Sequence, residues 1–158
     1  MISFDHPQGR FSHRTVGVII QAGRVLLHRA ENEHFWTLPG GRVEFGEHTS
    51  AALLREIGEE LEVAAQVERL LWVVENFFVY QGRQTHELAF YFLLTLPPDC
   101  GVYQHTQPFE GDEEGVKLIF QWFALDQLAE IVVYPAFLAH TLPNLPPTMQ
   151  HLVHHHLD

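Results

Sequence analysis

Residues 85–96 place the tightest limit on how this chain can fold. Side chains of an extended strand alternate between its two faces. In this stretch His86, Leu88, Phe90, Phe92 and Leu94 share one face, and Ala89, Tyr91 and Leu93 share the other. A strand that is apolar on both faces has to be covered on both, which predicts a central strand with layers above and below it. The aromatic and β-branched run 67–80 precedes it across Gln81-Gly82, a hairpin turn signal. Residues 15–20 (TVGVII) predict a further strand, Gln21-Ala22-Gly23 a turn, and residues 25–27 the start of the returning strand. Pro39-Gly40-Gly41 breaks regular structure.

Residues 49–62 read as the clearest helix. Thr49 or Ser50 can cap its start, and Leu54, Ile57 and Leu61 recur at helical spacing. Residues 97–114 read as a loop ending in an acidic knot and 118–125 as a strand. Asp126 is expected to cap a short helix, and 135–142 offers another. Strands, helix, strands and helix in that order give an α+β class, a mixed sheet flanked by helices. The length suits a single domain over 1–158, with a core at about 12–142 and a solvated tail at 143–158.

Composition removes several classes of function. Nine Lys and Arg stand against 20 Asp and Glu, a formal net charge of −11, which repels polyanions and argues against a nucleic-acid interface. The apolar runs are too short for a membrane span. The start MISFDHPQGR lacks the build of a secretory signal, and one cysteine, Cys100, leaves no internal disulfide. A cytoplasmic setting is the resulting expectation. An anionic substrate would need a cation other than lysine to neutralise it.

Glu56, Glu59 and Glu60 occupy i, i+3 and i+4 of the helix. At about 100° per residue they form one ridge, roughly 120° from the stripe of Leu53, Leu54, Ile57 and Leu61. Like charges at this spacing repel. Either the ridge is fully solvated, or cations sit between its carboxylates. Oxygen-only ligands suit Mg²⁺, with Mn²⁺ a second choice, and Mg²⁺ is held by a few carboxylates together with substrate phosphates. Arg55, one turn before Glu59, can hold that carboxylate in place. Gly58, inside the helix, suggests close approach of another backbone.

From Gly41 the chain reads GRVEFGEHTSAALLREIGEELEV: Gly41, five residues, Glu47, seven residues, Arg55-Glu56-Ile57, one residue, Glu59-Glu60, one residue, Glu62-Val63. This resembles the signature of the Nudix hydrolases, and eight of its nine specified positions match. Leu38-Pro39-Gly40 also fits the usual approach to the box. The departure is Glu62, where the family has a glycine that ends the helix in the left-handed conformation. Glutamate there predicts a reshaped helix end. The resemblance implies an α/β/α sandwich around a mixed sheet, with the box as loop-helix-loop. It implies hydrolysis of a pyrophosphate bond in a nucleoside diphosphate linked to another moiety: a nucleoside triphosphate, a dinucleoside polyphosphate or a nucleotide sugar. By position, Glu56, Glu59 and Glu60, with a backbone carbonyl of Gly40 or Gly41, are the implied Mg²⁺ ligands. Arg55 would orient a glutamate, and Glu47 would hold the loop-helix-loop together or reach the metal through water.

The family often draws a further acid from a later loop or strand. Glu110, Asp112, Glu113 and Glu114 are the candidates here, with Glu87, on an otherwise apolar strand, as another. Arg29, Arg42 and Arg83 are candidates for phosphate contact. Tyr80 lies where members acting on dinucleoside polyphosphates carry a tyrosine, although aromatics beside a turn also simply pack. Trp36, Phe77 and Phe78 could stack on a base, with core packing the alternative. His151, His154 and His155 have the spacing of a metal site on a helix, but a terminal Pro-rich setting favours a solvated tail. A homodimer is implied by family analogy alone. The competing reading is a non-catalytic Nudix module that senses a nucleotide. Such modules tend to lose box glutamates, and this chain keeps them.

Overall fold

A computed structural model describes residues 1–113 and 115–156, with the backbone alone for Asp112 and Glu113. The doubly apolar strand forms as β6 (Arg83–Thr95), preceded by β5 (Gln66–Tyr80) in an antiparallel hairpin. Gln81 and Gly82 between them have φ of 51° and 77°, the left-handed pair of a type I′ turn. On its other side β6 runs parallel to β2 (Gly9–Gln21), with Arg10–Ile19 against Thr85–Leu94. The opposite edge of β2 is shared among three partners in turn: β1 (Ser3–His6), β4 (Gly40–Arg42) and β3 (Arg24–Ala30). Beyond β3 lie β8 (Val116–Ala124) and β7 (Phe109–Glu113), and beyond β5 lies β9 (Gln150–His155). The sheet is mixed.

Its two faces are buried by different layers. Val16, Val18, Ala89, Tyr91 and Trp72 pack with Leu128 of a 3₁₀ turn (Leu125–Glu130) and with Leu138 and Leu142 of the short α2 (Leu138–Thr141) and the residue after it. Ile19, Leu26, Phe92, Leu94 and Phe120 pack under Leu53 and Ile57 of α1 (Thr49–Leu61). Leu53 and Ile57 are fully buried, and each contributes about 1.5–3 kcal/mol through the apolar surface removed from water. This is the α+β sandwich expected from β6. Thr15, buried in β2, donates from its hydroxyl to the carbonyl of Thr49 at 2.8 Å and so fixes the start of α1 against the sheet. No described helix is long and apolar enough to cross a membrane.

Several local expectations change. His48 caps α1, its side chain accepting from the N–H of Ala51, whereas Thr49 already lies inside the helix. Ala124 precedes the 3₁₀ turn without a side-chain cap, and Asp126 sits in its first turn. The acidic segment is not a plain loop, because Phe109–Glu113 forms the edge strand β7. The His-rich terminus is not a solvated tail: 150–155 pairs parallel to Trp72–Phe77 of β5. No backbone is pressed against Gly58: an added Cβ there would find only the carbonyl oxygen of Val63, at an ordinary contact distance of 3.8 Å. Glu62 keeps the left-handed conformation at φ 56° and ψ 39°, donating its N–H to the carbonyl of Gly58 at 3.0 Å, so the helix end is not reshaped.

Candidate active site

Packing of Leu53 and Ile57 against the sheet turns the carboxylate ridge of α1 across the boundary between core and solvent. Glu56 is 9% exposed and Glu60 5%, while the side chain of Glu59 is 61% exposed. The ridge is therefore not a uniformly solvated helix face. Glu60 lies with His28 of β3, whose Nδ1 is 4.0 Å from its Oε2. Burial first, then the repulsion of Arg14, lowers the His28 imidazole to about 3 and keeps it neutral, so this contact is no ion pair at neutral pH.

Arg55 organises the other carboxylates. Its Nε and Nη2 donate to the two oxygens of Glu47 at 2.8 and 3.0 Å, a bidentate pair. Its Nη1 donates to Glu56 at 2.9 Å and reaches Glu59 at 3.5 Å, and Nη2 also donates to the carbonyl of Arg42 at 3.3 Å. One guanidinium thus ties the helix to the loop before it and to β4. The Arg55 hydrogen bonds hold the Glu47 carboxyl down at about 2, and Glu47, then Glu56, raise the guanidinium above its ordinary value. Glu47 also accepts from the N–H of Glu44. Three carboxylates around one guanidinium leave the cluster formally negative, a setting that attracts cations.

The glycines before the helix are there for space. A Cβ on Gly40 would strike the backbone of Thr15 in β2, and a Cβ on Gly41 would coincide with the Glu56 carboxylate. The Glu56 carboxylate therefore lies directly against the Gly41 backbone. An all-oxygen donor set of buried carboxylates beside a bare peptide fits a hard divalent cation. Among the described residues no three His, Cys, Asp or Glu side chains already enclose one point, so the donors form a cradle and not a finished cage.

The remaining candidates separate. Glu110 points away and pairs with Lys117 at 2.7 Å, its side chain 67% exposed. Glu114 and the side chains of Asp112 and Glu113 lie outside the described residues. β7 nevertheless passes the ridge, because Gly111 packs against Phe120 and the carbonyl of Glu60. Arg29 is spent on the carbonyls of Ala30, Glu31 and Glu33 and stacks over Trp36 at 5.2 Å. Arg42 donates to the Met1 sulfur, and Arg83 pairs with Asp5 at 3.1 Å. The Tyr80 hydroxyl donates to Glu33 at 2.8 Å; burial, then that carboxylate, raises its pKa. Trp36 packs on Phe123, and Phe77 lies between His86 and His155. His151 pairs with Glu75 at 2.7 Å. Glu87 does not join the ridge. It is buried on the opposite face of the sheet, with Arg14 Nε 3.7 Å from its Oε2. Burial raises its carboxyl, and Arg14 and then Asn76 offset part of the rise. Sequence reasoning missed Arg14, although its position two residues before the inward Val16 was the available signal.

Comparison with known proteins places this geometry. The NUDIX domain description matches residues 11–145, and the chain belongs to that family. An RNA pyrophosphohydrolase of Azorhizobium caulinodans is 28% identical over 138 residues, covering 75% of this chain and 81% of that protein. A relative from Actinobacillus pleuropneumoniae with the same name is 32% identical over 68 residues, which is 42% of this chain and 33% of that protein. Another relative, from Mycobacterium tuberculosis, is likewise covered over only 33% of its length. Among solved structures, the MutT NUDIX hydrolase from Burkholderia pseudomallei superposes with a TM-score of 0.57 at 28% identity, covering 82% of this chain and 95% of that one. A UDP-X diphosphatase superposes with a TM-score of 0.63 at 25% identity, covering 89% and 66%.

Proposed function

We propose that this protein is a Mg²⁺-dependent hydrolase, Mn²⁺ serving as a substitute, that cleaves a pyrophosphate bond in a nucleoside diphosphate linked to another moiety. The observation that carries this reading is the Glu56 carboxylate seated in the Gly41 cradle and held there by Arg55, with Glu60 buried one turn on. The family match and relatives named pyrophosphohydrolase and diphosphatase support the same chemistry. Glu56, Glu59, Glu60 and the Gly41 carbonyl are the groups that would hold the cation. When bound, it supplies neutralising charge to the phosphate oxygens and an acidified water. Arg55 holds Glu56 at 2.9 Å and only reaches Glu59 at 3.5 Å, which leaves Glu59 the exposed carboxylate and the one to accept a proton from the attacking water. Glu47 keeps Arg55 from swinging away. We read residues 1–158 as one domain and, on the single Cys100, place it in the cytoplasm.

The test is release of phosphate or mononucleotide from a nucleotide panel, with and without Mg²⁺ and with the products identified. Metal-dependent turnover is expected. Glu59→Gln and Glu60→Gln should each retain the fold and lose at least about a hundredfold in rate. Near-normal turnover in both variants, or turnover indifferent to metal, overturns the assignment.

A further inference from the structure

The face of the sheet under α1 holds one polar side chain that the proposed chemistry does not use. His28 of β3 lies two residues beyond Leu26, so it shares the face that packs under Leu53 and Ile57. It is 6% exposed, and its ring lies against Phe120 at 5.3 Å between centroids. Its backbone exchanges two hydrogen bonds of 2.9 Å with Thr37, which ties β3 to the segment leading into Gly40 and Gly41. Its Nδ1 is enclosed, has no hydrogen-bond partner among the described residues, and faces Glu60 Oε2 across 4.0 Å. That separation is too long for a hydrogen bond. Two metal–ligand bonds of about 2.0–2.1 Å, one on each side of a cation, span it. The Leu38 backbone hydrogen-bonds the ring, and with Nδ1 unpartnered that bond falls to Nε2. Nδ1 is then the bare nitrogen of the neutral imidazole. A histidine that binds a metal through one nitrogen characteristically donates its other N–H to a backbone carbonyl or a carboxylate.

We propose that His28 Nδ1 is a nitrogen ligand, opposite Glu60, for a divalent cation at the inner end of the ridge. The proposal rests on the reading of the ridge as a cation site and adds a donor different in kind from its carboxylates. Mg²⁺ prefers oxygen ligands and retains several waters. The Glu60 and His28 side chains, 1% and 8% exposed, leave little room for those waters. Fe²⁺, Ni²⁺ and Zn²⁺ accept imidazole readily, and Co²⁺ stands between Fe²⁺ and Ni²⁺ in the affinity series. The two ends of the ridge therefore differ. Glu56 and the Gly41 backbone present only oxygen, suited to Mg²⁺, whereas Glu60 with His28 selects a borderline transition-metal ion.

The experiment is titration of the intact protein with CoCl₂ and, separately, with MgCl₂, read by calorimetry and, for Co²⁺, by proton NMR. The ring N–H proton of a histidine bound to Co²⁺ shifts far outside the ordinary range and exchanges with solvent. One such resonance is expected at the first equivalent of Co²⁺, and His28→Gln and Glu60→Gln should each abolish it. His28→Gln should weaken Co²⁺ binding by at least about tenfold and change Mg²⁺ binding by less than about threefold. His28→Leu, matched to the apolar surroundings, takes its place if melting shows that His28→Gln does not fold. A resonance that survives in the folded His28 variant comes from another histidine, such as those of β9, and overturns the proposal. So do Co²⁺ binding without such a resonance and equal Co²⁺ affinity in variant and native protein. Each of these outcomes leaves Mg²⁺ binding by the native protein intact, and the ridge remains a cation site. Failure of the native protein to bind either ion is distinct: it removes the cation reading, and this ligand with it.

Discussion

Arg55 and Glu47 show what individual residues contribute. Neither belongs to the carboxylate ridge, yet their bidentate pair determines where Glu56 lies. Because Arg55 lowers the Glu47 carboxyl to about 2, the folded protein holds this proton less tightly than the unfolded chain does. The pair therefore stabilises the fold fully above the ordinary carboxylate pKa near 4.5, and that contribution disappears as pH falls from there through about 2. Denaturant midpoints measured across this range should fall more steeply for the native protein than for Glu47→Gln. Parallel curves would show that the pair contributes nothing to stability. The ridge, Arg55 and Glu47 were legible because their spacing is local and periodic. The placement of Arg14 beside Glu87 was not, since it depends on strand register between segments more than 60 residues apart in sequence.

At the scale of elements, α1 carries two residues that disfavour its geometry. Gly58 sits inside the helix with room for a methyl group, and Glu62 occupies a left-handed position better suited to glycine. Gly58→Ala should raise stability by about 0.5–1 kcal/mol, and Glu62→Gly by about 1 kcal/mol, in chemical denaturation. A loss in either variant would reveal a contact that packing does not show. Helix and central hairpin were readable from period and turn chemistry. The strands β7 and β9 were not: an acidic segment and a histidine-rich one have weak strand propensity, and each is fixed by a neighbour rather than by its own sequence.

For the whole molecule, β9 completes one border of the sheet. Leu152 packs into the core beneath α2, while His151 makes an exposed pair with Glu75. Leu152→Asp should cost about 2–3 kcal/mol by burying a carboxylate, whereas His151→Ala should cost less than about 1 kcal/mol. Thermal melts of both variants separate the contributions, and equal effects would mean that the strand is held by its backbone alone. Two-sided coverage of β6 was predictable in outline, because a doubly apolar strand admits few surroundings.

The parallel pairings bear on how the chain reaches this state. β2 must wait for β6, some 75 residues later, before its second border is satisfied, and β5 must wait for β9, which follows every other strand. Such distant closures slow folding and leave unpaired strand borders exposed meanwhile. During synthesis, β4 and α1 therefore emerge well before the β6 strand that completes the sheet beneath them.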